Sequence, residues 1–151
     1  MLFSVKDVEL VKQSIEYVDT AVLVCSTVSF DEGLVTSVID KEYLERLSYV
    51  LEKEYRGRVF VLPQLQFPSV DDATERVLDT WVSNLKGYGF KHIMVITTNM
   101  EIKQLMDEKD EISLWLPSFS FDDNKEQVDG ILLSQIRNIM KSVSNKWTLT
   151  E

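Results

Sequence analysis

Thr20-Ala21-Val22-Leu23-Val24-Cys25 is a run of β-branched and apolar residues with no polar alternation. A strand wet on one face alternates apolar with polar residues, so a continuous run reads as a strand covered on both faces, the habit of a parallel sheet. Three later stretches repeat the pattern. Val59-Phe60-Val61-Leu62 is stopped by Pro63, His92 to Thr97 is rich in Ile and Val, and Ile112 to Leu116 stops at Pro117.

Helical spacing fills the intervals between these strands. Ser4 followed by Asp7 resembles a capping box, and Val5, Val8, Val11 and Ile15 then share a stripe, which predicts a helix over about residues 4 to 17. Beyond a polar segment from Ser26 to Ser37, Asp40 is placed to cap a helix bearing Tyr43, Leu44, Leu47, Val50 and Leu51 and ending near Gly57. Ser69 with Asp72 opens a helix carrying Ala73, Val77, Trp81 and Leu85, which Gly87 and Gly89 end. Asn99 caps a short helix with Ile102, Leu105 and Met106 inward, and a last helix from about Lys125 to Val143 carries Val128, Leu132, Ile136, Ile139 and Met140. Strand and helix thus alternate four times. The expected fold is a three-layer α/β/α sandwich with a mostly parallel four-stranded sheet, flavodoxin-like in its 2-1-3-4 strand order.

The chain has 151 residues, the size of one domain, with residues 144–151 expected as a flexible tail. Apolar residues make up 44% and charged residues 27%, so a packed core is expected rather than disorder. The formal charge of -9 repels nucleic-acid backbones and anionic lipid surfaces. The densest basic stretch, Arg56-Gly57-Arg58, reads as a solvated turn. A lone cysteine inside the first strand is expected as a buried inert thiol, which fits a reducing, cytoplasmic setting, and no stretch has the length and apolarity of a membrane span.

In an open parallel sheet ligands collect beyond the carboxyl ends of the strands, where loops and helix N-termini converge. The exits read Ser26-Thr27-Val28-Ser29, Pro63-Gln64-Leu65-Gln66, Thr97-Thr98-Asn99-Met100 and Pro117-Ser118-Phe119-Ser120. The candidate ligand-binding residues are therefore Ser26, Ser29, Gln64, Gln66, Thr97, Thr98 and Asn99. Asp31, Glu32, Asp122 and Asp123 are candidate ligands for a hard divalent cation, against the ordinary reading of solvated or helix-capping acids. Phe30, Phe67, Trp115, Phe119 and Phe121 would rim the same edge. No glycine-rich phosphate loop follows a strand, so no cofactor is expected. His92 begins its strand at the opposite edge, away from any nucleophile at the carboxyl edge.

Val61-Leu62-Pro63-Gln64-Leu65-Gln66-Phe67, followed by a helix and by Tyr88-Gly89-Phe90-Lys91-His92-Ile93-Met94-Val95-Ile96, resembles the creatininase (creatinine amidohydrolase) family over roughly residues 20 to 100. That resemblance implies a creatininase-like fold with a metal-dependent amidohydrolase site at the carboxyl edge. Where the family carries Asn-Gly-His-Gly-Gly-Asn, this chain has Thr97-Thr98-Asn99-Met100-Glu101. Where the family has a Gly-Ser-x-Glu-x-His-Gly run, Ser26 to Gly33 supplies no histidine. A binuclear site without its histidines holds zinc poorly, so the resemblance implies fold without catalysis. Tyr17-Val18-Asp19-Thr20-Ala21, Leu62-Pro63 and Gly89-Phe90 also resemble the YpiF-type family of small cytosolic proteins from spore-forming bacteria, which brings no activity with it.

The leading expectation is a non-catalytic binding or regulatory protein that meets a protein partner or small-molecule ligand at the carboxyl edge. The alternative is a divergent carboxylate-dependent metal hydrolase, and a third reading is a homodimer formed through a sheet edge or the last helix.

Overall fold

The computed structural model describes residues 1–121 and 124–148. Its elements in chain order are α1 (Val5–Gln13), β1 (Thr20–Thr27), α2 (Leu34–Glu54), β2 (Val59–Val61), β3 (Leu65–Phe67), α3 (Asp72–Tyr88), β4 (His92–Thr97), α4 (Met100–Glu108), β5 (Ile112–Trp115) and α5 (Lys125–Thr148). All sheet pairings are parallel, in the order β2-β1-β4-β5, with β3 added to β1 on a separate pairing. Helices cover both faces, giving the three-layer sandwich. Among the described residues no helix is long and apolar enough to cross a membrane.

Alternation along each strand divides the core in two. Val22, Val24, Met94, Ile96, Ile112 and Leu114 pack under Tyr43, Leu44 and Leu47 of α2 and Leu132, Ile136 and Met140 of α5. Ala21, Leu23, Cys25, Ile93 and Val95 face Val11 of α1, Leu78 and Leu85 of α3, and Ile102 and Met106 of α4. Burial on the second face pushes the Cys25 thiol up to about 12, so it stays protonated and unreactive.

Five sheet strands stand where four are expected from the sequence. Pro63 removes a backbone donor and interrupts what is otherwise one partner strand along β1. Val22 pairs with Val61 and Cys25 with Leu65, so one extra residue is accommodated between β2 and β3 and the pairing resumes.

Three helix boundaries also differ. The segment expected to be polar loop up to Ser37 is helical from Leu34, and Asp40 lies inside α2, where its carboxylate accepts from Ser118 Oγ at 2.5 Å instead of capping. Helix α3 is capped by Asp71, not Ser69, in a reciprocal box with Thr74. Helix α5 continues to Thr148, so residues 144–148 of the expected tail are helical; residues 149–151 lie outside the described residues.

What carries α5 onward is Trp147, 5% exposed, at the amino end of β1. Its indole Nε1 donates to Thr20 Oγ1 at 2.7 Å, and Thr20 in turn donates to Asp19 at 2.8 Å. The Arg58 guanidinium lies 3.8 Å from the indole ring centroid, donates to the Trp147 carbonyl at 2.6 Å and pairs with Asp19 at 3.1 Å. The two arginines of the expected solvated turn therefore have structural partners, since Arg56 also pairs with the buried Glu52 at 3.1 Å. Burial alone would raise the Glu52 carboxyl, but hydrogen bonds from Arg56 and from the Met1 amino group hold it below the ordinary range.

Two predictions follow from this amino-edge assembly. Trp147→Ala removes a buried ring and the bond that Thr20 Oγ1 accepts, and should cost about 3–5 kcal/mol in equilibrium urea unfolding; a cost below about 1 kcal/mol would show that the last turn is not part of the core. The buried His92 beside Asp19 is held below the ordinary imidazole pKa, chiefly by desolvation and against the pull of the Asp19 charge. The unfolded chain then binds more protons, so stability is full above about pH 6.5 and falls as pH drops from there towards the folded pKa. His92→Gln should flatten that limb of a stability-against-pH curve.

Candidate functional site

The expected residues at the carboxyl edge divide into those already occupied and those left open. Asn99 Oδ1 accepts from the Ile102 N–H at 3.0 Å, capping α4, and Thr97 Oγ1 accepts from the Asn99 N–H at 3.0 Å. Both are consumed locally. Gln66 is exposed on β3 opposite Ser26.

The loop between β1 and α2 closes on itself. Ser29 Oγ donates to Asp31 Oδ1 at 2.5 Å, and the Gly33 N–H donates to the same oxygen at 2.8 Å. These bonds, the serine hydroxyl first, hold the Asp31 carboxyl below its usual range although it is exposed. The Ser29 N–H donates to Ser37 Oγ at 3.0 Å, which donates to the Gly33 carbonyl at 2.9 Å. Gly33 fits here because a Cβ would approach Ser29 Cβ to 3.2 Å. The loop thus fixes the first turn of α2 over the end of β1.

Among the described residues three oxygens remain without a hydrogen-bond partner although they are buried: Ser26 Oγ, Gln64 Oε1 and Thr98 Oγ1. All three lie towards the carboxyl edge of the sheet, on β1 and on the segments that follow β2 and β4. Val24 pairs with Ile96 and Cys25 with Thr97, the last paired row, so Ser26 and Thr98 each follow that row on adjacent chains, Thr98 just beyond the end of β4. Ser26 shares the parity of Val22 and Val24, whose side chains face α2 and α5. Gln64 reaches the same side, because its Nε2 donates to the Lys41 carbonyl in α2 at 2.9 Å. Ser26 itself is fully buried. On its other flank the Thr98 carbonyl accepts from Trp115 Nε1 at 3.0 Å, which fixes the backbone while leaving the hydroxyl free.

The expected carboxylate cluster is not assembled from what the structure describes. Among the described residues no three of His, Cys, Asp and Glu are grouped to hold a metal, and Asp122 and Asp123 lie outside those residues. Asp31 is engaged within its own loop, and Glu32 is exposed. The aromatic rim is mostly core closure. Phe67 is buried, Phe119 packs edge-on to Tyr43 at 5.3 Å, Phe121 meets Phe119 at 6.1 Å, and Phe30 alone stands 85% exposed. Sequence reasoning missed the Asp40–Ser118 contact tying α2 to the segment after β5. Its only signal was an acid six residues into a helix read as starting later.

The fold and site define a parallel α/β sandwich with an uncharged polar group buried at its carboxyl edge. Residues 9–147 match the family described as "Protein of unknown function (DUF2487)", and the chain belongs to that family. No curated protein and no solved structure matches the chain.

Because Asn99 serves as a cap, Asn99→Ala should lower stability by about 1 kcal/mol through loss of the α4 N-cap bond. Equilibrium urea unfolding of the variant beside the parent measures the loss.

Proposed function

We propose that this chain is a non-catalytic binding protein that takes a small uncharged polar group, such as an amide, against Ser26, Gln64 and Thr98. The observation that carries the reading is that three buried oxygens on neighbouring segments have no partner. An unsatisfied buried hydroxyl or amide oxygen costs about 1–3 kcal/mol, so three towards one edge of the sheet are what a site poised for a ligand would retain.

The chemistry follows from the partners already taken. Gln64 spends its Nε2 on Lys41 and offers an acceptor, while the two hydroxyls donate or accept. The complementary group carries at least one N–H or O–H and one acceptor oxygen. Asp31, Glu32 and Asp40 on the adjoining loop and helix disfavour an anion. The hydroxyls lie on the α2 face, whereas His92 begins β4 at the amino edge beside Asp19, so it does not serve them as a base. A resemblance to the creatininase fold without its histidine ligands fits this reading, and a cytoplasmic regulatory role fits the inert Cys25.

Removing the orphaned oxygens separates stability from binding. Ser26→Ala and Thr98→Val should each raise the unfolding free energy of the ligand-free protein by about 1 kcal/mol and abolish the amide chemical-shift changes that small primary amides produce around residues 26, 64 and 98. Variants that lose stability instead would mean these hydroxyls are hydrogen-bonded in the resting protein, and the reading would fall.

A further inference from the structure

On the opposite face of the sheet, α1, β2 and α3 line an open cavity of about 360 Å³. Its floor is Val11, Phe60, Leu62, Leu85 and Phe90, all buried. Its mouth is aromatic and partly wet, with Phe3 61% and Tyr88 54% exposed and Trp81 half-buried beside them. The rings form a ladder: Phe3 to Phe60 at 5.8 Å, Phe60 stacked on Phe90 at 6.0 Å, and Phe90 stacked on Tyr88 at 5.8 Å. No charged side chain lines it. The Thr80 hydroxyl at the wall already donates to the Arg76 carbonyl at 2.9 Å, leaving the exposed Asn84 amide, one helical turn from Trp81 and Tyr88, as the polar group at the rim.

We propose that this cavity is a binding site for a small, uncharged one- or two-ring molecule carrying a single hydrogen-bonding group, its ring stacked in the aromatic ladder and its polar end at Asn84. Volume sets the size, since small-molecule pockets span about 300–1,000 Å³ and are apolar with few convergent polar groups. Charge sets the class. A protein of net charge -9 repels an anion, and an apolar floor without a carboxylate does not repay a cation for its lost hydration. A second copy of the chain would bring the same negative charge against this one. Exposed rings around a buried apolar floor are the offset-stacking surfaces that a flat ligand covers.

The site is independent of the Ser26 group, and the test keeps them apart. The intact chain is titrated with 2-naphthol and, in parallel, with naphthalene-2-sulfonate and benzyltrimethylammonium, followed by calorimetry and by amide chemical shifts. The expected result is saturable one-to-one binding of 2-naphthol, with shifts centred on Phe3, Trp81, Tyr88 and Phe90, and at least about tenfold weaker binding of both ions. Val8→Trp, which fills the cavity from α1, should weaken 2-naphthol by at least about tenfold, whereas Ser26→Ala should leave it unchanged. If Val8→Trp does not fold, Asn84→Trp closes the mouth from an exposed position and gives the same reading. The proposal is overturned by absence of saturation, by equal binding of the sulfonate, by shifts centred elsewhere, or by a concentration-dependent dimer that either variant dissolves.

Discussion

β1 is hydrogen-bonded to neighbours along both edges and covered by helices on both faces, so from Thr20 to Ser26 nothing on it reaches water. Every polar group on such a strand must find its partner inside the protein or remain without one. The two ends of β1 resolve that constraint differently. At the amino end Thr20 gives its hydroxyl proton to Asp19 and accepts from Trp147, within a cluster that also engages Arg58. At the carboxyl end Ser26 has no such partner. One end of the strand fastens the fold, and the other leaves hydrogen-bonding capacity unused.

The sheet was legible in the sequence because parallel strands covered on both faces carry their own signature. The runs at Thr20, Val59, His92 and Ile112 owe their apolarity to two helical layers, and crossover connections restrict their order, so β2-β1-β4-β5 is the arrangement expected. β3 was hidden for a physical reason. Three residues, one of them an exposed glutamine, carry no periodicity, and their strand character comes only from resuming the pairing with β1 beyond Pro63. The end of α5 was hidden similarly. Nothing local in Ser144-Asn145-Lys146 marks a core helix, and the helix persists because Trp147 finds Arg58 and Thr20 from far along the chain.

The carboxyl-edge candidates were legible as an address and not as a chemistry. Ser26 is the penultimate residue of β1, and Gln64, Thr98 and Asn99 follow strand ends, so the topology points to each alike. What separates them is the partner each meets: Asn99 caps the free N–H of its own helix, whereas no described residue answers the hydroxyls of Ser26 and Thr98. Residue type does not record which hydroxyl will be answered. The aromatic cavity was further from view, since Phe3, Phe60, Trp81 and Phe90 belong to the N-terminal arm, a strand, a helix and a turn, and only the packing of α1 and α3 on β2 brings them together.

Leaving three buried oxygens unpaired is tolerable only because stability is generated elsewhere. A domain of this size has a net stability of about 5–15 kcal/mol, so unanswered polar groups costing about 1–3 kcal/mol each are a large fraction of it. The amino-edge cluster supplies compensation without touching the site. Six residues of extended chain separate Thr20 from Ser26, roughly 20 Å, well beyond the distance at which packed neighbours couple. Substitutions at the two ends of β1 should therefore act additively, so the carboxyl edge keeps its unanswered oxygens while the amino edge holds the strand in register.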